Sequence, residues 1–181
     1  MGGLYDGLFL LVDSETETYF DHITGEALYG PDVDVGLETF PIEVTTVSSA
    51  LVDDPALRIS LSKPPAVARL VARLAGNLYA ESTVLPPGFA STMGEADTRL
   101  PFDTPGLAVI EGGACRFYPM ASVDGVVEEE LGGVEIVIEY DPDAFAPMAR
   151  YVDTGSPMQL LARWYGISYA YPGCSIFGAS Q

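Results

Sequence analysis

Basic residues are scarce in this sequence. Its 181 residues include 8 lysines and arginines against 26 aspartates and glutamates, so the formal net charge is −18. A nucleic-acid-binding surface needs basic side chains that neutralise phosphates, and an anionic membrane surface repels an acidic protein. We therefore expect no nucleic acid and no membrane insertion. A protein partner or a homo-oligomer stays open.

Lysine is almost absent, because Lys63 is the only one among the 8 basic residues. An acidic surface poor in lysine is typical of proteins that stay soluble in high salt, where screening weakens the repulsion between like charges. GC-rich codon usage produces a similar composition without salt adaptation. The composition favours halophilic adaptation and leaves the codon explanation open.

Long apolar runs and closely spaced cysteines are also lacking. The apolar run at 8–12 is too short for a signal-peptide core, and no stretch approaches the roughly 20 apolar residues of a membrane span. We expect a soluble, cytoplasmic chain as given, or an extracytoplasmic one if the native precursor is longer. Cys115 and Cys174 form no C-x-x-C motif, so they are either two buried thiols or one disulfide.

The composition that is present favours a β-rich globular protein. Hydrophobic residues make up 48% of the chain, which is enough for a sizeable core, and 19 glycines and 14 prolines are spread along it. Such spacing is typical of short strands joined by tight turns. We predict a mainly β, β-rich α+β fold with two adjoining β halves and one or two short helices.

The order of segments indicates where the halves meet. Residues 1–76 form the predicted N-terminal β half, which ends in a helix at about 65–75 with prolines at its start and Gly76 at its end. Residues 77–106 are a Pro/Gly-rich connection, and residues 107–181 form the C-terminal β half. We expect one compact unit.

Several local patterns predict particular strands, turns and helices. The apolar run at 8–12 predicts a strand buried on both faces, and 35–47 predicts an extended segment. Gly-Gly pairs at 112–113 and 132–133 predict hairpin turns. The segment 156–173 predicts a short helix with Leu160, Leu161 and Trp164 facing inward, or else a strand pair around Gly166.

His22 is the first candidate for chemistry, because it is the only histidine and has Asp21 and Glu26 nearby. On a strand, Asp21 would point to the opposite face from His22. A catalytic histidine also needs a nucleophile or a metal partner, and no G-x-S-x-G or H-E-x-x-H motif supplies one. A hydrogen-bonded packing role is therefore favoured.

Carboxylates and aromatics supply two further candidates. Asp32 and Asp34 form a D-x-D pair that would share one strand face and could bind Ca²⁺ or Mg²⁺ through oxygen ligands. In a chain with 26 acidic residues a solvated face is the favoured interpretation, so no cofactor is predicted. Trp164, Tyr165 and Tyr169 could line a ligand pocket, although core packing is the default for such a cluster.

Three segments resemble a bacterial and archaeal group, domain-of-unknown-function family 3179. "DSETETYFDHITGEALYGP" is similar to the family's D-x-x-T-G-S-x-W-x-Q-x-T-G-E-A-x-x-G-P, "VIEGGACRFYPM" to its G-G-E-A-x-A-Y-P-L, and "RWYGISYAYPGCSIF" to its closing aromatic run. Phe20 stands where the family has Trp, and His22 stands where it has Gln. Many members of the family carry an upstream module with a C-P-L-C motif, and the sequence as given contains no such motif, so we expect no metal or thiol role to carry over from it.

The resemblance implies a fold and a core pattern, because the family has no established activity to transfer. We therefore predict an uncharacterised acidic domain that is a non-enzymatic binding or structural module. The alternative is a hydrolase-type enzyme that uses His22 with an acidic partner, with or without a metal ion. A glutamine at that position in relatives favours a hydrogen-bonding role for His22, since an amide is a poor base.

Overall fold

The computed structural model describes residues 4–5, 8–58, 92–95, 97–141 and 146–178, with positions 60, 63, 65, 67 and 69. These residues form a mainly β structure, as predicted, with strands in three sheets and two short α-helices. The predicted helix at about 65–75 and most of the predicted connection at 77–106 fall largely outside this part of the chain. Among the described residues, no helix has the length and apolar character needed to cross a membrane.

The N-terminal sheet is a meander of four short antiparallel strands. They are β1 (Leu4–Tyr5), β2 (Leu8–Val12), β3 (Tyr19–Asp21) and β4 (Ala27–Tyr29). The prediction that 8–12 is buried on both faces is wrong, because burial alternates along β2 and leaves Phe9 69% and Leu11 49% exposed. A small meander covered on one face only cannot bury both sides of a strand.

The predicted extended segment at 35–47 forms no strand in residues 35–46, and α1 (Val47–Asp53) follows it. Thr46 caps this helix, since its side chain accepts a hydrogen bond from the Ser49 backbone N–H at 3.2 Å. The segment is nevertheless tied down, because the Ile42 N–H donates to the Gln159 carbonyl at 3.1 Å. It runs past the edge of the second sheet as irregular backbone.

The second and third sheets hold the C-terminal strands. The second sheet has the order β10-β5-β6-β11, with β5 (Pro105–Glu111), β6 (Ala114–Pro119), β10 (Met158–Arg163) and β11 (Ser175–Ile176). The third has the order β7-β8-β9, with β7 (Val126–Leu131), β8 (Val134–Asp141) and β9 (Ala146–Tyr151). In the sequence, the three strands of the third sheet thus lie between β6 and β10 of the second sheet.

Both Gly-Gly pairs make the predicted hairpin turns, joining β5 to β6 and β7 to β8. Each glycine has a positive φ, the region that glycine tolerates best. The two turns also touch: a Cβ on Gly132 would lie 2.2 Å from the Glu111 carbonyl oxygen. Glycine at 132 is therefore required both by its backbone angle and by the neighbouring turn.

Residues 158–170 form a strand followed by a helix. The alternative of a strand pair around Gly166 is wrong, because Gly166 lies within that helix. Leu160 and Leu161 lie on β10, whereas Trp164 begins α2 (Trp164–Ala170). A helix that included both leucines is therefore wrong: Leu160 pairs with Ala108 and Leu161 with Leu107 in the ladder with β5. The first half of this segment thus forms a strand paired with β5, although the spacing of its apolar residues also suits a helix.

Two apolar clusters form the core. The first lies between the second and third sheets and includes Leu107, Tyr118, Ile136 and Ile138. The second surrounds Trp164 and includes Phe117, Ile167 and Cys174. The N-terminal sheet rests on α2, since a Cβ on Gly166 would lie 3.2 Å from Leu8 Cδ2 and 3.6 Å from Ile23 Cδ1. The absence of a side chain at Gly166 permits this close approach.

Candidate functional site

His22 lies in the turn after β3, not on the strand where it was predicted. Its ring is exposed, and its Nδ1 lies 2.7 Å from the Phe9 carbonyl oxygen. Because a carbonyl only accepts, Nδ1 must carry the proton and donate it. Within the part of the chain that the structure describes, no carboxylate pairs with the ring. The hydrogen bond agrees with the role that the sequence favoured, but the exposed ring is not a packing residue.

Asp21 stabilises the same turn. Its Oδ1 accepts hydrogen bonds from the backbone N–H groups of Ile23, at 2.6 Å, and Thr24, at 3.1 Å. Its backbone closes the turn as well, because the Asp21 N–H donates to the Glu26 carbonyl at 2.9 Å. The Glu26 side chain is exposed. The carboxylate of Asp21 is thus directed at the turn backbone, away from a role as partner to an imidazole.

The Asp32 and Asp34 pair occupies a turn at 31–34, where a strand was expected. Asp32 Oδ2 accepts from the Thr18 hydroxyl at 3.3 Å, and its carbonyl accepts from the Val35 N–H at 3.0 Å. Asp34 is exposed. Among the described residues, no group of three or more His, Cys, Asp or Glu side chains is arranged to hold a metal ion. Ca²⁺ or Mg²⁺ binding at carboxylates stays a prediction.

Trp164 is a core residue. It is fully buried and packs on Phe117, with ring centroids 5.2 Å apart. Its Nε1 donates to the Asp97 carbonyl at 3.2 Å, and the Arg99 guanidinium lies 5.1 Å from its ring centroid. Arg99 in turn pairs with Asp97 at 2.7 Å, which lowers the pKa of the Asp97 carboxyl, chiefly through the hydrogen bond from Arg99. These contacts hold the stretch before β5 against α2.

Tyr165 and Tyr169 have similar structural contacts. The Tyr165 ring lies 6.5 Å from that of Phe102, and its backbone N–H donates to the Phe102 carbonyl at 3.0 Å. The Tyr169 hydroxyl donates to the Gly94 carbonyl at 2.9 Å. The three predicted aromatics therefore lie on one helix, and they hold the segment at 94–102 against it. Their ligand-binding role stays a prediction.

A different set of aromatics is exposed on the N-terminal sheet. Five side chains line a shallow depression of about 370 Å³, here called the aromatic depression: Tyr5, Leu10, Tyr19, Leu28 and Tyr29. Tyr29 is 72% exposed and Tyr5 54% exposed, and the rings of Tyr19 and Tyr29 lie 6.0 Å apart. Cross-strand register explains the grouping, since Tyr19 pairs directly with Tyr29. No sequence motif marked this site, and the apolar run of β2 contributes only Leu10 to it.

A second cavity, of about 540 Å³, lies between the β5–β6 turn, the β7–β8 turn and the segment that enters β11. Both cysteines line it, and both are free thiols, with Cys115 partly exposed and Cys174 buried. The pKa of the Cys115 thiol is raised, first by its hydrogen bond with the Cys174 thiol and then by burial. The sequence separates these residues widely, so only the fold reveals that they meet.

Beside this cavity, Arg116 forms an ion pair with Glu129 on β7, and the Tyr118 hydroxyl donates to the same carboxylate. The two neighbouring acids, Glu128 and Glu130, are exposed, because successive residues on a strand alternate between its faces. In the run of three glutamates at 128–130, the middle carboxylate therefore has structural partners, and the two flanking carboxylates are solvated.

The family of the chain follows from comparison with family models. The model described as "Protein of unknown function (DUF3179)" matches residues 1–167. The chain belongs to the DUF3179 family. No curated protein and no solved structure matches it.

Within the DUF3179 pattern, the residues of the turn after β3 have structural roles here. Gly25 has a φ of 75°, and a Cβ there would lie 2.7 Å from the Leu37 carbonyl oxygen. Gly30 has a φ of 122° and lies against Thr18. The glycines of T-G-E-A and G-P thus let other backbone segments approach the hairpin closely. In this DUF3179 chain, that stretch therefore forms a closely packed hairpin and turn.

Proposed function

We propose that the chain is a non-enzymatic binding module whose ligand site is the aromatic depression. The observation that carries the proposal is the exposure of Tyr5 and Tyr29 beside Leu28, on short strands of the N-terminal sheet. Contiguous exposed apolar surface in a protein that also has a core is typical of an interaction site. Tyrosine suits such a site, because its ring packs on apolar groups while its hydroxyl stays hydrated.

The occupant we propose is a segment of a protein partner that combines apolar side chains with lysine or arginine. A net charge of −18 attracts a basic partner over long range and repels a second copy of the same chain. Apolar side chains on the partner would fill the depression between the Tyr19 and Tyr29 rings. Charge would govern the approach, and the aromatics would hold the bound segment.

The geometry around His22 supports the binding module over a hydrolase. Its ring is bonded to the Phe9 carbonyl and is not among the residues that line the aromatic depression. Asp21, the nearest acid along the chain, is bonded to the turn backbone. With Nδ1 bonded to that carbonyl, only Nε2 could act as a general base, and a base must also lie within reach of a bound substrate. The proposed ligand site does not place a ligand against the His22 ring.

The test uses a fluorescein-labelled peptide of alternating lysine and leucine, with two matched peptides in which glutamate replaces lysine or serine replaces leucine. We expect binding of the lysine–leucine peptide only, measured by fluorescence anisotropy at low salt. Tyr29→Ser should weaken it about tenfold or more, since burying an aromatic side chain contributes roughly 1.5–3 kcal/mol. Val126→Ser, at a side chain that is 59% exposed on β7, is the control and should leave binding unchanged.

Two results would overturn the proposal. The first is equal binding of the three peptides, or binding that Tyr29→Ser leaves unchanged. The second is hydrolysis of a p-nitrophenyl ester that the chain accelerates and that His22→Gln abolishes, which would favour the enzyme instead.

A further inference from the structure

The two cysteines lie at matching positions of neighbouring strands. β11 pairs in parallel with β6, with Ser175 opposite Arg116 and Ile176 opposite Phe117. One step back along both chains places Cys174 opposite Cys115. Neighbouring strands lie about 4.8 Å apart, and a disulfide bridges Cα atoms about 4.4–6.8 Å apart. The backbone therefore holds these residues at a spacing that a disulfide can close.

Hydrogen bonds fix this arrangement. The Ser175 hydroxyl donates to the Cys115 carbonyl at 3.2 Å, and Arg116 Nε donates to the Ser175 hydroxyl at 3.0 Å. The ion pair of Arg116 with Glu129 anchors the arginine in turn. The segment that carries Cys174 is thus tied to the strand that carries Cys115 by bonds outside the thiols themselves.

The two thiols differ in access. Cys174 is fully buried in the cluster around Trp164 and Ile167. Cys115 is partly exposed and lines the cavity of about 540 Å³, which is large enough to admit a small disulfide molecule. A reagent would therefore meet Cys115 first, and Cys174 would be within reach of Cys115 but shielded from solvent.

We propose that Cys115 and Cys174 are a modification site at which a low-molecular-weight disulfide forms a reversible bond between them. The Cys115 thiolate attacks one sulfur of the reagent, R–S–S–R, and releases one R–SH after protonation. The Cys174 thiolate then attacks the Cys115 sulfur of the mixed disulfide and releases the second R–SH. The protein dithiol is oxidised by two electrons, and the reagent is reduced to two thiols.

The reaction should be slow at neutral pH and faster in alkali. The raised pKa of Cys115 keeps its thiol protonated, and only a thiolate attacks a disulfide. We expect the rate of oxidation to increase about tenfold per pH unit between about pH 7 and pH 9, because the thiolate fraction grows in that proportion.

The test treats the full chain with oxidised glutathione and follows its intact mass. We expect a loss of two hydrogen atoms, a cross-linked peptide that contains both cysteines in a non-reducing digest, and full reversal by dithiothreitol. The oxidised chain should also unfold at a higher temperature than the reduced chain, because the bond restricts the unfolded state. Cys174→Ser should instead retain one stable glutathione adduct at Cys115.

Cys115→Ser supplies the matched control and should react far more slowly, since its remaining thiol is buried. The proposal fails if the native wild-type chain keeps both thiols unmodified and forms the bond only after unfolding. It also fails if the wild-type chain accumulates the adduct at Cys115 and never resolves it. Both of these outcomes are measured on the wild-type chain, so they test the proposal even if a cysteine variant does not fold.

Discussion

Gln159 on β10 holds Ala149 on β9 through both ends of its side-chain amide. Gln159 Nε2 donates to the Ala149 carbonyl at 2.9 Å, and Gln159 Oε1 accepts from the Ala149 N–H at 2.8 Å. Both residues are fully buried. β9 is an edge strand of the third sheet, so the amide satisfies backbone groups that no neighbouring strand reaches. One side chain thereby links the second and third sheets.

Replacing Gln159 with leucine should destabilise the protein strongly. The change keeps the approximate volume but leaves the Ala149 N–H and carbonyl buried without partners, at about 1–3 kcal/mol each. We expect a loss of about 2–6 kcal/mol in the free energy of unfolding. Urea unfolding followed by the fluorescence of Trp164, the only tryptophan, measures it.

The control for that experiment is Ser156→Ala, which removes an exposed hydroxyl that donates to Glu43 at 3.1 Å. It should change stability by no more than about 0.5 kcal/mol. An equally small effect for Gln159→Leu would mean that the buried amide contributes nothing net to the joining of the sheets.

Gly132 and Gly133 form a matched pair of tests in one turn. Both have a positive φ, 60° and 85°, but a Cβ on Gly132 meets the Glu111 carbonyl, whereas a Cβ on Gly133 meets nothing within 4 Å. Gly133→Ala should cost about 1–2 kcal/mol for the backbone angle alone. Gly132→Ala should cost about 1–3 kcal/mol more, because the turns must separate. Equal thermal midpoints for the two variants would contradict the contact between turns.

Asp97 should titrate below its ordinary pKa of 3.8 because Arg99 bonds to the charged form. A carboxyl whose pKa is depressed in the folded state contributes stability above its unfolded pKa and loses it as pH falls through the folded value. The contribution should therefore be complete above about pH 5 and decline in more acid solution. NMR titration of the Asp97 carboxyl carbon measures the pKa directly.

Arg99→Met should bring the Asp97 pKa back toward 3.8. Arg163→Met is the control, since Arg163 bonds to the Asp103 carbonyl and to no carboxylate among the described residues. If Asp97 titrates identically with and without Arg99, the hydrogen bond is not the cause of the shift.

His22→Gln should preserve the turn. The amide of glutamine can donate to the Phe9 carbonyl as Nδ1 does, and glutamine is the residue that the resemblance to relatives places there. We expect a change in unfolding free energy within about 0.5 kcal/mol for glutamine and a loss of about 0.5–1.5 kcal/mol for leucine. Chemical denaturation of both variants checks this, and equal losses would show that the hydrogen bond is immaterial.

Local signals in the sequence predicted much of the fold. The Gly-Gly turns at 112–113 and 132–133 were correct, because such turns need a positive φ at adjacent residues. The β2 strand was correct in position and wrong in burial, since a run of apolar residues does not reveal whether a second layer covers it. Leu160 and Leu161 suited a helix by spacing, yet the partner strand β5 decided their structure.

The candidate sites were harder to predict, because they depend on contacts between distant residues. Trp164, Tyr165 and Tyr169 were recognised as a cluster, but only their partners at 94–102 reveal what they hold in place. The meeting of Cys115 and Cys174 rests on the parallel pairing of β11 with β6, for which spacing carries no signal. The aromatic depression likewise depends on the register of Tyr19 with Tyr29.

The insertion of the third sheet between β6 and β10 has a consequence for synthesis. The β5–β6 hairpin is complete early, yet its two outer edges wait for β10 and β11, which are translated only after the whole third sheet. Long-range pairings of this kind form slowly, on a scale of milliseconds to seconds. Until then both edges of the hairpin are templates for other strands, so we expect aggregation of the nascent chain to begin at β5 and β6.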